Sequence, residues 1–194
     1  LVSPSNIAAP VFSWKMTSTR QGARQTAYRI RVGTAEGRKL GTVVWDTRSV
    51  PDDRSTGIAY GGPALKSATA YAWEVSVRDE TGAWLKPATA TFTTGLLAAD
   101  DWKGSEWIAV PGQDIISSNA VPKNERAVPG TSCFVKALDL GPNVKAAYWT
   151  VTGQGVFEAF VNGARVGNDF LKPGFTHVFK TRHAFTYDVT DLLA

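Results

Sequence analysis

The chain has 194 residues, 43% hydrophobic and 20% charged, a balance that excludes a disordered chain and fits two small domains better than one large sandwich. Its 21 Lys and Arg against 17 Asp and Glu leave a net charge of +4, with the basic residues scattered rather than gathered into a stripe, so no nucleic-acid partner is expected. No run approaches the ~20 apolar residues of a membrane helix, residues 1–10 lack the basic start and apolar run of a signal peptide, and a single cysteine excludes an internal disulfide.

Helical periodicity is almost absent while period-two alternation recurs, which reads as an all-β chain. A first strand is expected at residues 10–14. In residues 26–32, Tyr28, Ile30 and Val32 share one face and Arg29 and Arg31 the other, as in an antiparallel sheet with one packed and one wet face. Turn residues over 33–41 separate this strand from one at 43–46, and further turn signals fall at 51–54 and 61–63. Residues 71–77 set Tyr71, Trp73, Val75 and Val77 against Ala72, Glu74 and Ser76. A turn at 79–82 precedes a strand at 89–93. Residues 94–102 read as a join, where Gly95 permits a bend and Asp100-Asp101 begins a short helical turn. Residues 111–130 read as a polar surface loop. Strands are then expected at 132–140, 145–152, 156–161 and 181–189, with Cys133 a buried structural thiol in the first. The strand at 156–161 runs into Asn162-Gly163, the dipeptide that most readily takes the positive φ angles of a two-residue hairpin turn, and a return strand through Val166 follows.

Catalytic groups are thin. Inverting glycoside hydrolysis needs two carboxyl groups about 6.5–9.5 Å apart; among Glu74, Glu80, Asp100, Asp101, Glu106, Glu125, Glu158 and Asp169 no persuasive pair emerges. Asp100 and Asp101 read as a cap and Glu158 as a cross-strand partner. His177 and His183 have neither a Gly-x-Ser-x-Gly elbow nor a cysteine partner, and with the distant Cys133 they fall short of a zinc set. No catalytic residue and no metal ligand is therefore assigned. Stacking of sugar rings on aromatic side chains remains as the live function. Trp14, Trp73 and Trp149 are expected in the core, and Trp102, Trp107 and Phe175 near loops and exposed.

Residues 155–167, Gly-Val-Phe-Glu-Ala-Phe-Val-Asn-Gly-Ala-Arg-Val-Gly, together with Leu171-Lys172-Pro173-Gly174-Phe175-Thr176 and Tyr187-Asp188-Val189-Thr190, resemble the amino-terminal, non-catalytic part of bacterial α-L-rhamnosidases of glycoside hydrolase family 78. The same family is matched by residues 24–30, by Trp45-Asp46, by Thr94-Gly95-Leu96-Leu97 and by Trp107-Ile108. Leu65, Thr69 and Tyr71 resemble the Leu-x-x-x-Thr-x-Tyr start of a late strand in fibronectin type III domains, where the tyrosine hydroxyl bonds back to the upstream loop.

The resemblance implies a fibronectin-type-III-like or immunoglobulin-like β-sandwich over residues 1–97, then a jelly-roll rhamnosidase module over 98–194, expected to be incomplete at its C-terminus. In that family the catalytic carboxylates sit in a separate helical barrel, so the chain is expected to be non-catalytic by itself. Its implied partners are that catalytic domain and a rhamnose-containing glycan or glycoside. A calcium-assisted rhamnose site is also implied near the hairpin, which carries Asn162, Asp169 and Phe175 over as carbohydrate-binding residues; Val161 stands where a second acidic ligand would serve the cation. Turn geometry is the other reading of Asn162. Two further readings of the chain stay open: a free-standing carbohydrate-binding module, and an adhesion or assembly domain that binds another protein. The residues do not distinguish a secreted or periplasmic from a cytoplasmic bacterial location.

Overall fold

The computed structural model describes residues 9–110, 131–177 and 180–193. The expected loop at 111–130, with Glu125, lies outside them. The described chain is all-β, its only helical turns being short 3₁₀ segments at Ala99–Trp102 and Thr190–Leu192. Six strands form the first half: β1 (Val11–Phe12), β2 (Gln25–Glu36), β3 (Lys39–Asp46), β4 (Ile58–Ala59), β5 (Ala70–Asp79) and β6 (Ala88–Thr93). An antiparallel sheet in the order β3-β2-β5-β6 faces the two-stranded β1-β4 ribbon.

Alternation sets which side chains meet between these layers. In the β2–β5 register Tyr28 lies opposite Val77, Ile30 opposite Val75 and Val32 opposite Trp73. Their inward side chains close on Phe12, Ile58 and Tyr60 from the facing ribbon. On the outer face Arg29 lies opposite Ser76 and Arg31 opposite Glu74, which is the wet face expected from the sequence. The turn expected over 33–41 shrinks to Gly37-Arg38, because β2 continues through Gly33. Gly33 sits at a register shift between β2 and β3, and a methyl group there would lie 2.4 Å from the Thr42 carbonyl oxygen. A glycine inside a strand thus marks a bulge with close backbone approach, and not a turn.

Polar groups fasten the loops to this sandwich. The Tyr71 hydroxyl accepts the Lys66 backbone N–H at 2.9 Å, the corner anticipated from the Leu65-Thr69-Tyr71 spacing. Gln25 is buried and fully occupied: it donates to the carbonyls of Asp52 and Arg54 and accepts the Trp14 indole N–H. Across the outer face Arg29 grips Asp46 through Nε at 2.9 Å and Nη2 at 2.6 Å. Asp79 accepts from the Thr81 hydroxyl, the Thr81 and Ala83 backbone N–H groups and Arg20.

These bonds make the fold acid-sensitive. The Arg29 bond, with help from the Arg48 N–H, holds the Asp46 carboxyl at about 2. The Thr81 hydroxyl leads a similar lowering of Asp79 to about 2. A carboxyl whose folded value is depressed stabilises the fold above its unfolded value near 3.9 and loses that contribution as pH falls toward the folded value. Denaturant unfolding is therefore expected to show constant stability down to about pH 4 and a decline between about pH 4 and 2. Asp46→Asn should remove on the order of 1–2 kcal/mol of that decline, the figure being discounted because solvent reaches Arg29. An unchanged pH slope in Asp46→Asn would refute the assignment.

The second half carries β7 (Tyr148–Thr152), β8 (Phe160–Val161), β9 (Ala164–Arg165) and β10 (Ala184–Asp188). β7 pairs with β10 and β8 with β9, both antiparallel. The strands expected at 145–152 and 181–189 are present but shorter, and that at 156–161 contracts to β8 plus a single bridge between Phe157 and Lys172. The strand expected at 132–140 is not formed: these residues have no sheet partner among the described residues, and Phe134, Val135, Leu138 and Leu140 are exposed. Cys133 is exposed as well, so the buried-thiol reading is overturned with the strand that was to bury it. Trp149 is also exposed, contrary to expectation, while Trp14 and Trp73 pack against the first core. Trp102, expected to be exposed, is half-buried. The second core is small, built on Ala159, Val166 and Val189 with Ala147, Val161, Tyr187 and Leu192 against them.

One carboxylate gathers several of the bonds at the join between the halves. Asp101 accepts the backbone N–H groups of Ala98 and Leu97 at 2.8 and 3.1 Å and the Ser67 hydroxyl. This is the short helical turn anticipated at Asp100-Asp101, anchored back onto the first sandwich.

Candidate functional site

β8 and β9 face each other across Asn162-Gly163, with Phe160 opposite Arg165 and Val161 opposite Ala164. Asn162 and Gly163 have φ of +49° and +80°, the conformation that selects Asn-Gly in two-residue hairpins. The Asn162 side chain is committed in part: its Nδ2 donates to the Leu192 carbonyl at 2.8 Å, tying the turn to the segment that follows β10.

From the hairpin, Arg165 organises the next loop. Its Nη1 donates to the Gly167 carbonyl at 3.0 Å, its Nη2 to the Asp169 carbonyl at 2.5 Å and to Glu158 Oε1 at 3.3 Å. The guanidinium also lies 4.4 Å from the centre of the Phe170 ring. Beyond it, Lys172 is only 8% exposed. Its ammonium group meets the Asp169 carboxylate and the Tyr187 hydroxyl and sits over the rings of Phe185 and Tyr187 at 4.6 and 4.1 Å. Burial pulls the Lys172 ammonium down, but Asp169 and Tyr187 together outweigh it and hold the group above its ordinary value, so it is a fixed positive charge at neutral pH.

Asp169 is thus linked to the hairpin through Arg165, and Asn162 is linked to the chain after β10. Phe175 stands fully exposed beyond the cis Lys172-Pro173 bond. Arg165 and Lys172 were missed by the sequence reading, although Lys172 occupies the variable position of the Leu-x-Pro-Gly motif. Only its burial between two rings, which depends on β10, reveals its part.

The arrangement can donate hydrogen bonds to hydroxyl groups and offer exposed Phe170 and Phe175 to an apolar sugar face. It does not suit a calcium ion, which takes six to eight oxygen ligands. The Asp169 carboxylate already faces Lys172, Arg165 adds a second cation, and no group of three acidic, His or Cys side chains converges among the described residues. Glu158 and Asp169 each face a cation. Among the described residues, the carboxyl groups clearly displaced from their ordinary range, at Asp46, Asp52, Asp79, Glu80 and Asp101, are all displaced downward, opposite to the need of a general acid.

Paired variants separate the two roles of Asn162. Asn162→Gly keeps the turn and loses the bond to Leu192, for a cost of about 0.5–1 kcal/mol. Asn162→Ala also forces alanine into positive φ and is expected to cost about 1–2 kcal/mol more. Equal costs in urea unfolding would show that turn conformation is immaterial at this position.

Two family models match the chain. The model for the Rha78A-like N-terminal immunoglobulin domain covers residues 3–98, and that for the α-L-rhamnosidase N-terminal domain covers residues 142–194. An α-L-rhamnosidase of Formosa agariphila is 29% identical over 95% of this chain and 21% of its own length. One of Streptomyces avermitilis is 32% identical over 85% of this chain and 17% of its own length. Among solved structures, α-L-rhamnosidase from Dictyoglumus thermophilum aligns with a TM-score of 0.76 at 26% identity, over 96% of this chain and 22% of that one. The enzyme from Aspergillus terreus shares the fold, with a TM-score of 0.69 at 23% identity, over 96% of this chain and 20% of that one. The chain spans about a fifth of the length of the relatives it matches. It belongs to the amino-terminal, all-β region of the α-L-rhamnosidase family.

Proposed function

We propose that this chain is the accessory β region of an α-L-rhamnosidase, with one sandwich over residues 1–97 and a second module over 98–194. On this reading the parent enzyme releases terminal α-L-rhamnose from glycans or glycosides by inversion, in a helical catalytic domain that this region supports. The observation that carries the reading is the apolar surface of the second half. Val135 is 88% exposed, and Phe134, Leu138, Phe170 and Leu171 are exposed too, against a core of three buried apolar residues among the described residues. Patches of that kind mark interaction surfaces. Three buried polar atoms of the same half, Gln154 Oε1, Thr176 Oγ1 and Arg182 Nε, lack a hydrogen-bond partner among the described residues, as expected where further protein completes a surface. The hairpin would contact sugar through Asn162, Asp169 and Phe175.

The test is calorimetric titration of the chain with L-rhamnose, with and without calcium, for the natural sequence and Asn162→Ala, alongside an assay for release of p-nitrophenol from p-nitrophenyl α-L-rhamnoside. No hydrolysis by the chain alone is expected. Saturable binding lost in Asn162→Ala supports sugar contact at the hairpin, and a flat titration leaves scaffolding alone. Hydrolysis by the isolated chain would overturn the reading.

A further inference from the structure

The outer face of the first sandwich is more than a wet sheet surface. A groove of about 460 Å³ crosses it, within the ~300–1,000 Å³ typical of small-molecule clefts. Arg29 and Arg31 on β2 and Ser76 on β5 lie along it, Arg48 and Ser49 beyond β3 border one side, and Trp84 with Leu85 and Pro87 the other. The tryptophan side is fixed by the chain itself. Leu85 N–H donates to the Val77 carbonyl and Asp79 N–H to the Ala83 carbonyl, while Trp84 bridges Arg78. These bonds fix the backbone that carries Trp84, whose residue is 44% exposed.

The charges along this face do not cancel. Asp46 and Glu74 answer three guanidinium groups: Arg29 grips Asp46 through two nitrogens, Arg31 reaches Glu74 through Nη2, and Arg48 is left at 3.4 Å from the already paired Asp46. A guanidinium has five N–H donors, so each of the three keeps donors uncommitted among the described residues. The Arg48 side chain is 81% exposed, yet its backbone is held at φ +58°, where glycine or asparagine is far easier to place. Its own N–H on Asp46 Oδ1 and the Thr47 hydroxyl on its carbonyl keep it there. A strained backbone under an exposed arginine that only shares a carboxylate with Arg29 is the pattern of a residue kept for what its side chain does.

We propose that this groove binds an acidic saccharide, with the carboxylate of a uronic acid residue held by Arg48 and the free donors of Arg29 and Arg31, and the apolar face of its pyranose ring against Trp84. Planar guanidinium groups match carboxylates, and an exposed indole beside them supplies the stacking surface that a sugar needs and a simple anion does not. The site lies on the first sandwich and does not depend on the rhamnose contact proposed at the hairpin.

The proposal is tested on the full 194-residue chain by NMR titration of the Trp84 indole N–H, assigned with Trp84→Phe, using methyl β-D-glucuronide, methyl β-D-glucoside and sodium acetate as probes. Saturable binding of the glucuronide is expected, about tenfold tighter than that of either other probe, as one charge-assisted contact or one stacked ring amounts to. Arg48→Gly should lose about tenfold in glucuronide affinity, while its unfolding midpoint holds or rises because glycine relieves the positive φ. Trp84→Ala, read by calorimetry, should lose a similar factor. An equal response to glucoside would show that charge plays no part, and an equal response to acetate that the site is a plain anion contact. Either result, no saturation with glucuronide, or full affinity in Arg48→Gly would overturn the proposal.

Discussion

Ile30→Ala is expected to lower the unfolding free energy of the first sandwich by about 3–4 kcal/mol, a large share of the ~5–15 kcal/mol that separates a typical domain from its unfolded state. Ile30 is fully buried on β2, the strand flanked by both β3 and β5, and opposes Val75 in the core. Truncation removes the transfer free energy of three carbons and leaves a cavity that rigid strand neighbours on both sides cannot close. The backbone around it is also pinned, with Ile30 N–H on the Thr47 hydroxyl and its carbonyl accepting Thr47 N–H. Ile30→Val, which removes one methyl group, should cost about 1 kcal/mol. Urea unfolding followed by tryptophan fluorescence gives both values. A loss below about 1 kcal/mol for Ile30→Ala would mean that the core collapses around the site, and the account of a tightly keyed central strand would be wrong.

The second large effect is at Tyr71, where two variants separate ring from hydroxyl. Its ring stacks on Phe92 at 5.6 Å with an interplanar angle of 21°, and its hydroxyl accepts the Lys66 N–H. Tyr71→Phe keeps the stack and strands one backbone donor in a half-buried corner, at a cost of about 1–2 kcal/mol. Tyr71→Ala loses both, for about 4 kcal/mol. Amide exchange at Lys66 provides a local readout: the phenylalanine variant should expose that proton while leaving protection on β5 intact. If Tyr71→Phe matches the natural protein in both stability and exchange, the hydroxyl is ornamental and the corner is held by the ring alone.

The two halves of the molecule differ in how far their sequence could be read. In the first, β2 and β5 alternate over enough residues to declare both their type and their buried face, and Tyr28, Ile30, Val32 and Val75 stand where the pattern put them. The strand at Ile58–Ala59 went unread because two residues hold no period. Gly33 misled because a glycine required by close approach resembles one required by a turn. In the second half the Asn162-Gly163 hairpin was legible, since its turn is encoded in two adjacent residues. Residues 132–140 alternate just as β2 does, yet form no strand among the described residues. Alternation states which face would be buried if a partner strand lay alongside; it does not supply the partner.

The same division holds for the sites. Asn162, Asp169 and Phe175 lie in or between two neighbouring motifs within residues 155–176, whereas the buried ammonium of Lys172 depends on rings that β10 brings from elsewhere in the chain. The groove of Arg29, Arg31, Arg48 and Trp84 draws on stretches spread over residues 29–84, and in the sequence Arg29 and Arg31 looked like no more than solvent-facing polar positions. The sequence alone determined the all-β class, the packed faces of β2 and β5, the hairpin turn and the family, because each is written in residues that are neighbours along the chain. Tertiary structure alone decided which alternating segments pair, which aromatic rings stay exposed and which charges are left unbalanced, because pairing, burial and neutralisation are set by residues that meet only when the chain has folded.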